Sequence, residues 1–259
     1  MSCSKFFSID DGDKPYALVK GGTSHGEIIY INNINEDTGN AEGETNDISV
    51  DDGKMELLPS KTGRDCIVVA GKSGSGKSYW SRMFIKNYMK MFPKREVMLF
   101  SPVEEDKAFD DLDINKIILD EDLLDNPIDL NELENSLVVF DDTDSVIDPK
   151  LKKMIIDLQD RILEIGRHKN ISSIITIHKI CDYKRTRTLL NEAHYCVLFL
   201  RGNRSHMTKY YLKNHQDISR KGMKKLYALP SRWICFCNTF PSPILHERGC
   251  YIPEMDDCE

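Results

Sequence analysis

Residues Gly71 to Ser78 read GKSGSGKS and follow directly on the apolar run Cys66 to Ala70, CIVVA. The octet satisfies the pattern G-x-x-x-x-G-K-[ST], and its flanks supply what that pattern needs: a short strand before it and a helix, expected over Tyr79 to Phe92, after it. In such a strand-turn-helix junction the backbone N–H groups of a Gly-rich loop converge on phosphate oxygens, and the glycines Gly71, Gly74 and Gly76 leave no Cβ in the way. Lys77 is then expected to reach the β- and γ-phosphates and Ser78 to offer its hydroxyl to Mg²⁺. Lys72, Ser73, Ser75 and Tyr79 complete the expected nucleoside triphosphate site.

The rest of the chain is organised around that junction. The helix after the loop places Trp80, Met83, Phe84, Tyr88, Met91 and Phe92 largely on one side before Pro93 stops it. Strands are expected at Val97 to Phe100, Lys116 to Asp120, Leu137 to Phe140, Ser173 to Ile177 and Cys196 to Leu200. Asp148 and Pro149 form an N-cap and first-turn signal for a helix that lines up Leu151, Met154, Ile155, Leu158 and Ile162. A further helix is expected around Met207 to Asn214, and LYALPSRWICFCN resembles a terminal hairpin. Short apolar strands alternating with amphipathic helices predict an α/β fold with a mostly parallel sheet flanked by helices. Residues 1–62 carry three short strand-like runs (KFFSI, YALV, EIIYI), a hairpin or an edge addition to the main sheet, and an acidic stretch from Asn35 to Gly53 that reads as a mobile loop. The expected organisation is an N-terminal β-rich extension over 1–62, a main domain over 63–252 and an acidic tail over 253–259.

Charge divides the chain more sharply than its overall balance of 35 Lys and Arg against 42 Asp and Glu suggests. Residues 1–149 carry 15 basic against 31 acidic side chains, residues 150–232 carry 19 against 6, and residues 233–259 carry 1 against 5. A basic section of that density keeps a polyanion partner open. Lys184, Arg185, Arg187, Lys209, Lys213, Arg220, Lys221, Lys224, Lys225 and Arg232 could contact a phosphate backbone without reading bases, with Tyr183, Tyr210 and Tyr211 interleaved; a merely solvated basic face is the alternative. No apolar run is long enough to cross a membrane, and the N-terminus has no leader-like pattern, so no membrane insertion is expected. The 8 cysteines include no CxxC pair, which points to a reducing compartment and buried thiols.

The second motif is Leu137-Val138-Val139-Phe140-Asp141-Asp142. A carboxylate at the end of a buried strand, expected beside the phosphate-loop strand, is placed to hold Mg²⁺, the role assigned to Asp141. Asp142 can accept a proton from the attacking water if the backbone turns there. Asp144 reads as a turn carboxylate or cap. At the end of ITIHK, His178 or Thr176 could sense the γ-phosphate. Arg167 could offer its guanidinium to the nucleotide of an adjacent subunit, or simply cap a helix C-terminus; Arg201 and Arg204 compete for the first role.

LVVFDD, a helix leading to IGRHKNISSIITIHK, then YCVLFLRGN and LPSRWICFC follow one another in an order that resembles the genome-packaging ATPases of large double-stranded DNA viruses. These form the poxvirus-like branch of the chromosome-pumping and DNA-translocating P-loop ATPases. The resemblance runs from about Asp65 to Ile252. It implies a RecA-like P-loop NTPase core, Mg²⁺-dependent ATP hydrolysis, Asp141 on the metal, Asp142 on the water and His178 as the polar sensor. It further implies double-stranded DNA as the substrate of translocation and a homo-oligomeric ring of five or six subunits docked on a capsid vertex or portal-like viral protein. The setting it implies is the host cytoplasm at viral assembly sites, or the virion. Two other classes stay open: a nucleotide-switched DNA-binding or scaffolding protein with weak hydrolysis, and a small-molecule kinase, which would need an acceptor pocket beside the nucleotide.

Overall fold

The computed structural model describes residues 4–61, 63–182, 186–201, 205–254 and 258. Contacts group these into two compact units, residues 63–199 and residues 1–62 together with 200–259. In chain order the strands are β1 (Phe7–Ile9), β2 (Lys14–Lys20), β3 (Ile28–Ile31), β4 (Asp47–Ser49), β5 (Lys54–Leu57), β6 (Cys66–Ala70), β7 (Val97–Ser101), β8 (Asn115–Ile118), β9 (Leu137–Phe140), β10 (Ser172–Ile177), β11 (Tyr195–Leu198), β12 (Ile234–Cys237), β13 (Ile244–His246) and β14 (Gly249–Tyr251). The helices are α1 (Lys77–Met91), α2 (Asp122–Asp125), α3 (Pro149–Ile165), α4 (Arg187–Glu192), α5 (His206–Asn214) and α6 (Arg220–Ala228).

In the unit 63–199, six strands pair in the order β11-β6-β10-β9-β7-β8, every pairing parallel. Strands β6, β9, β10 and β11 are buried along their whole length. Such runs need helices on both faces and carry no regular polar alternation, which is why they read in the sequence as mostly apolar, with LVVF of β9 wholly so and only small or hydroxyl-bearing side chains breaking SSIITI of β10. The α/β expectation, a parallel sheet flanked by helices, is met. One detail of order is corrected: the strand ending in Asp141 does not lie beside the phosphate-loop strand. β10 lies between them, pairing Ile177 with Ala70 on one side and Ile175 with Phe140 on the other.

Helix α1 buries Trp80, Phe84, Ile85 and Tyr88, with Trp80 stacked on Phe84 at 6.0 Å between ring centroids. Helix α3 begins as its sequence predicts. The Asp148 carboxylate accepts from the Leu151 N–H at 2.8 Å, Pro149 occupies the first turn, and Leu151, Ile155, Leu158, Ile162 and Leu163 are buried. Its far end is held by Arg64, whose guanidinium donates to the Ile162 carbonyl at 2.6 Å and to the Leu163 carbonyl. A cation on the last carbonyls of a helix adds to their hydrogen bonding, the Ile162 carbonyl also accepting from the Gly166 N–H, and interacts favourably with the helix dipole.

The other unit holds two sets of antiparallel pairings. Strands β1-β3-β2-β5 form one, so the three N-terminal runs are a sheet of their own, completed by β5. In the second, β12 pairs with β13, β13 with β14, and β14 with β4. Three expectations change here. The acidic stretch is mostly turn, but its Asp47–Ser49 pairs with Gly249–Tyr251, so it is tied into a sheet. The terminal hairpin is β12 with β13, while Leu226, Tyr227 and Ala228 close α6. Residues 200–252 group with the N-terminal segment, because β4 pairs with β14 and Lys54 reaches Glu247 at 3.1 Å. Five buried cysteines, Cys66, Cys196, Cys235, Cys237 and Cys250, are free thiols. Among the described residues no helix is long and apolar enough to cross a membrane.

The cap on α3 yields a stability test. Asp148→Ala is expected to lower the unfolding free energy by about 1 kcal/mol, the usual worth of an N-cap carboxylate, seen as a lower denaturant midpoint at unchanged slope. An unchanged midpoint would show that the cap contributes nothing.

Candidate nucleotide-hydrolysis site

The buried strand β6 delivers Gly71 to the carboxyl edge of the sheet, where its N–H donates to the Ile177 carbonyl of β10 at 3.1 Å. The loop then folds tightly back. A Cβ on Gly71 would come within 2.5 Å of Ser75 Oγ and 3.1 Å of Phe199 Cβ, and the Ser75 N–H donates to the Lys72 carbonyl at 3.1 Å. Gly76, with φ 112° and ψ 20°, makes the left-handed step into α1, a conformation that favours glycine. Helix α1 has no side-chain N-cap and no acidic residue in its first turn. Its leading N–H groups and the positive end of its dipole are thus left for an anion. Lys72, Ser73 and Gly74 are exposed on the crown of the loop, Ser75 and Gly76 are half-buried, and Tyr79 projects from the first turn with 69% of its surface exposed.

Lys77 is only 5% exposed. Its ammonium lies 3.5 Å from Asp142 Oδ1 and 3.5 Å from His178 Nδ1, and His178 Nε2 lies 3.5 Å from the same Asp142 oxygen. The tautomer with its proton on Nε2 suits both contacts, since Nδ1 then faces a donor and Nε2–H faces a carboxylate. Asp142 reaches this point because its backbone turns into the left-handed region, φ 48° and ψ 29°. Asp tolerates that turn better than most residues. Here it is held by the Asp142 N–H donating to Thr176 Oγ1 at 2.9 Å. The structure therefore separates the two candidates on β10: Thr176 supports the backbone of Asp142, and the His178 ring meets both Asp142 and Lys77.

Asp141, one residue earlier, points the other way. It is 2% exposed, and its Oδ2 accepts from Ser78 Oγ at 2.9 Å. Burial pushes its carboxyl up to about 6; the Ser78 hydrogen bond pulls against that shift, and the neighbouring Asp142 charge adds to it. A buried carboxylate next to a hydroxyl, both hard oxygen donors, fits Mg²⁺. Oδ1 of Asp141 is enclosed without a hydrogen bond of its own. Among the described residues no three His, Cys, Asp or Glu converge on one point, so a cation here would take its remaining ligands from phosphate and water, as Mg²⁺ commonly does.

Two supports go beyond the sequence pattern, which marks Asp144 as a turn carboxylate or cap without naming its partner and gives no sign of Gln159. The Asp144 carboxylate accepts from the His178 N–H at 3.2 Å, so this turn residue caps the end of β10 and sets the direction of the His178 ring. Gln159 of α3 donates to Thr143 Oγ1 at 3.3 Å, tying the turn after Asp142 to the helix behind it. Arg167 is not brought to this site. It is an exposed residue of the 3-10 turn Gly166–Lys169, ahead of β10 and therefore at the opposite edge of the sheet, about 20 Å along the strand from His178. There it contacts the ring of His168 at 3.4 Å. Arg201 lies in the other unit with its guanidinium toward the Leu229 carbonyl; Tyr183, Lys184, Arg185 and Arg204 lie outside the described residues.

The raised Asp141 carboxyl has a signed effect on stability. Its folded value of about 6 exceeds the ordinary 3.8, so the native state binds more protons between those values and loses stability as pH rises through that window. In nucleotide-free, metal-free protein, Asp141→Asn is expected to be more stable at pH 7.5, by on the order of 1–3 kcal/mol. The gain should shrink toward zero as pH falls to about 4. Thermal unfolding midpoints against pH test this, and a pH-independent difference would contradict it.

No established sequence-family profile matches the chain. It is 35% identical over 246 residues to the uncharacterized protein V3 of Sputnik virophage, a match covering 94% of this chain and 97% of V3. Among solved structures it is similar to B204, the DNA-packaging ATPase of Sulfolobus turreted icosahedral virus, with a TM-score of 0.50 and 14% identity over 73% of this chain and 98% of that one. B204 of Sulfolobus turreted icosahedral virus 2, a genome packaging NTPase in complex with AMPPCP, aligns with a TM-score of 0.49 and 15% identity over 74% of this chain and 98% of that one. At that identity the structural likeness speaks to fold: an α/β P-loop NTPase core of the RecA-like kind. The chain belongs to the same protein family as V3 of Sputnik virophage, and its fold is that of the P-loop NTPases, viral genome-packaging ATPases among them.

Proposed function

We propose that this protein is an ATP-hydrolysing DNA translocase that packages viral double-stranded DNA into a preformed capsid, working as a ring of five or six subunits on a portal-like viral protein. The observation that carries the hydrolytic part is the convergence of Lys77, Asp142 and His178 within 3.5 Å contacts beside the Ser78–Asp141 pair. The DNA part is supported by the basic section after residue 149, by kinship with a viral protein and by likeness of fold to a DNA-packaging ATPase. The poxvirus-like branch and a place at cytoplasmic assembly sites or in the virion belong to the same reading.

Each residue then has a distinct task. The loop from Gly71 to Gly76 and the first turn of α1 bind the phosphates through backbone N–H groups. Lys77 leaves Asp142 for the phosphate oxygens, a stronger anion in the same place. Ser78 and Asp141 would hold Mg²⁺, which when bound offsets phosphate charge in the transition state. Asp142, released by Lys77, is free to orient a water and take its proton, and His178 positions both groups. Lys77→Ala should weaken triphosphate binding at least about tenfold, roughly 1.4 kcal/mol. Asp141→Asn is expected to impair Mg²⁺-dependent binding and turnover together, whereas Asp142→Asn should keep nucleotide and lose turnover. Calorimetric titration beside single-turnover assays separates the two, and parental hydrolysis by Asp142→Asn would remove Asp142 from its role.

No other cation in the unit 63–199 approaches Lys77 within ion-pair distance of its partners among the described residues, so charge developing on the γ-phosphate calls for a cation from a neighbouring subunit. Arg167, exposed and remote from its own site, is our candidate. Arg167→Ala subunits should bind ATP and hydrolyse it slowly, and adding Lys77→Ala subunits, which retain Arg167, should restore turnover at mixed interfaces. Duplex DNA should stimulate the wild-type rate with little sequence preference, less so as salt rises. ATPase rate against mixing ratio, with subunit exchange confirmed separately, tests the trans arginine; a monomeric mass under saturating ATP and DNA would refute the ring.

A further inference from the structure

Helices α5 and α6 carry the sequence SHMTKYYLKNHQDISRKGMKKLYA, in which basic residues recur at helical spacing. Ser205 caps α5 by accepting from the Thr208 N–H at 3.2 Å, and Ser219 caps α6 by accepting from the Gly222 N–H at 3.1 Å. Tyr211, Leu212 and Leu226 are buried beneath them. That burial fixes which faces look outward. Residues 206, 209, 210 and 213 of α5 and residues 220, 223, 224 and 227 of α6 share the two sides of one cleft of about 750 Å³.

The lining is one-sided in charge. Lys209 and Lys213 come from one helix, Arg220 and Lys224 from the other, with Tyr210 and Tyr227 between them, and no carboxylate is present among the described residues that line the cleft. Lys209, Lys213, Arg220 and Lys224 are all exposed, and Tyr210 is 46% exposed. Within each helix the two cations stand one turn apart, about 6 Å along the axis. Positive charge thus forms two rows along a trough, which suits an extended polyanion better than a single phosphate group. The exposed Tyr210 adds a neutral hydroxyl donor of the kind that bonds phosphate oxygens.

We propose that the α5–α6 cleft is the surface on which this protein holds duplex DNA, gripping the sugar-phosphate backbone of one strand without regard to sequence. The inference rests on the DNA reading above and adds the place of contact, in a unit of the chain separate from the phosphate loop. Backbone neutralisation at such a site releases counterions, so each lost cation lowers the salt dependence of binding.

The experiment is fluorescence anisotropy of a short labelled duplex across a salt series, with ATPase rates measured in parallel. Lys209→Glu with Lys224→Glu is expected to weaken duplex binding at least about tenfold, to reduce the slope of log affinity against log salt by about 2, and to abolish stimulation by DNA. The rate without DNA should be unchanged. Lys209→Gln with Lys224→Gln, gentler on the fold, should give the same slope change with a smaller loss of affinity. Lys90→Glu with Lys94→Glu, the same charge change on exposed residues of the other unit, should leave the slope as in the wild type. If the wild type binds duplex and the cleft variants bind equally well, the cleft is not the grip and the DNA reading survives. If the wild type binds no duplex at any salt, the DNA reading falls and this inference with it.

Discussion

An ammonium removed from water has to be compensated where it lies, and Lys77, at 5% exposure, is the group on which this site turns. At rest its compensation comes from Asp142 and His178. These are the groups that a hydrolytic reading needs turned toward phosphate and water. The resting site is therefore self-paired: the carboxylate that would attack through water is neutralised by the lysine that would bind phosphate. Only an anion strong enough to take over Lys77 leaves Asp142 uncommitted, so on the proposed reading nucleotide binding and activation of the carboxylate are one event.

The pairing exists because β6 and β10 end level while β9 ends two residues short, which leaves Asp141 and Asp142 alongside the last residues of β10. β6 ends at Ala70, β9 at Phe140 and β10 at Ile177, with Ala70 opposite Ile177 and Phe140 opposite Ile175. Each delivers its polar residues to the same edge: Gly71 with the loop, Asp141 and Asp142, then His178. Local turns do the final aiming. The left-handed step at Asp142 sends two adjacent carboxylates to different partners, one to Ser78 and one to Lys77, and the Thr176 hydroxyl holds that step in place. Such a conformation at a non-glycine residue is uncommon, and it persists where surrounding bonds over-determine it.

Much of this was legible in the residues. Buried parallel strands cannot alternate polar and apolar, so LVVF and SIITI announced themselves, and Asp148-Pro149 marked the start of α3 because cap chemistry is local. What escaped was either weakly patterned or non-local. The strand Asp47–Ser49 reads as acidic loop since its pairing with β14, some two hundred residues away, leaves no trace in a three-residue run with one apolar side chain, Ile48. Helix α6 was hidden by Gly222 and a run of lysines, although Ser219 and the spacing of Met223, Leu226 and Tyr227 carried a faint signal. The lateral order of strands is not written in chain order at all, which is why β10 between β6 and β9 emerged only in three dimensions. The Asp144 carboxylate on the His178 N–H depends on that order and was equally invisible.

That central position makes β10 a mechanical member. Hydrogen-bonded along both sides, it cannot stretch or buckle without breaking two ladders. Its near end follows the turn that carries Arg167, where the Ile171 N–H is bonded to the Gly166 carbonyl and the Asn135 N–H to the Lys169 carbonyl. Its far end touches everything that matters for chemistry: the Gly71 N–H on Ile177, the Asp142 N–H on Thr176, and the His178 ring on Lys77. The turn that carries Arg167 and the loops that carry Gly71 and Asp142 therefore lie at opposite ends of one hydrogen-bonded strand. One strand thus ties the outer surface at one edge of the sheet to the candidate site at the other.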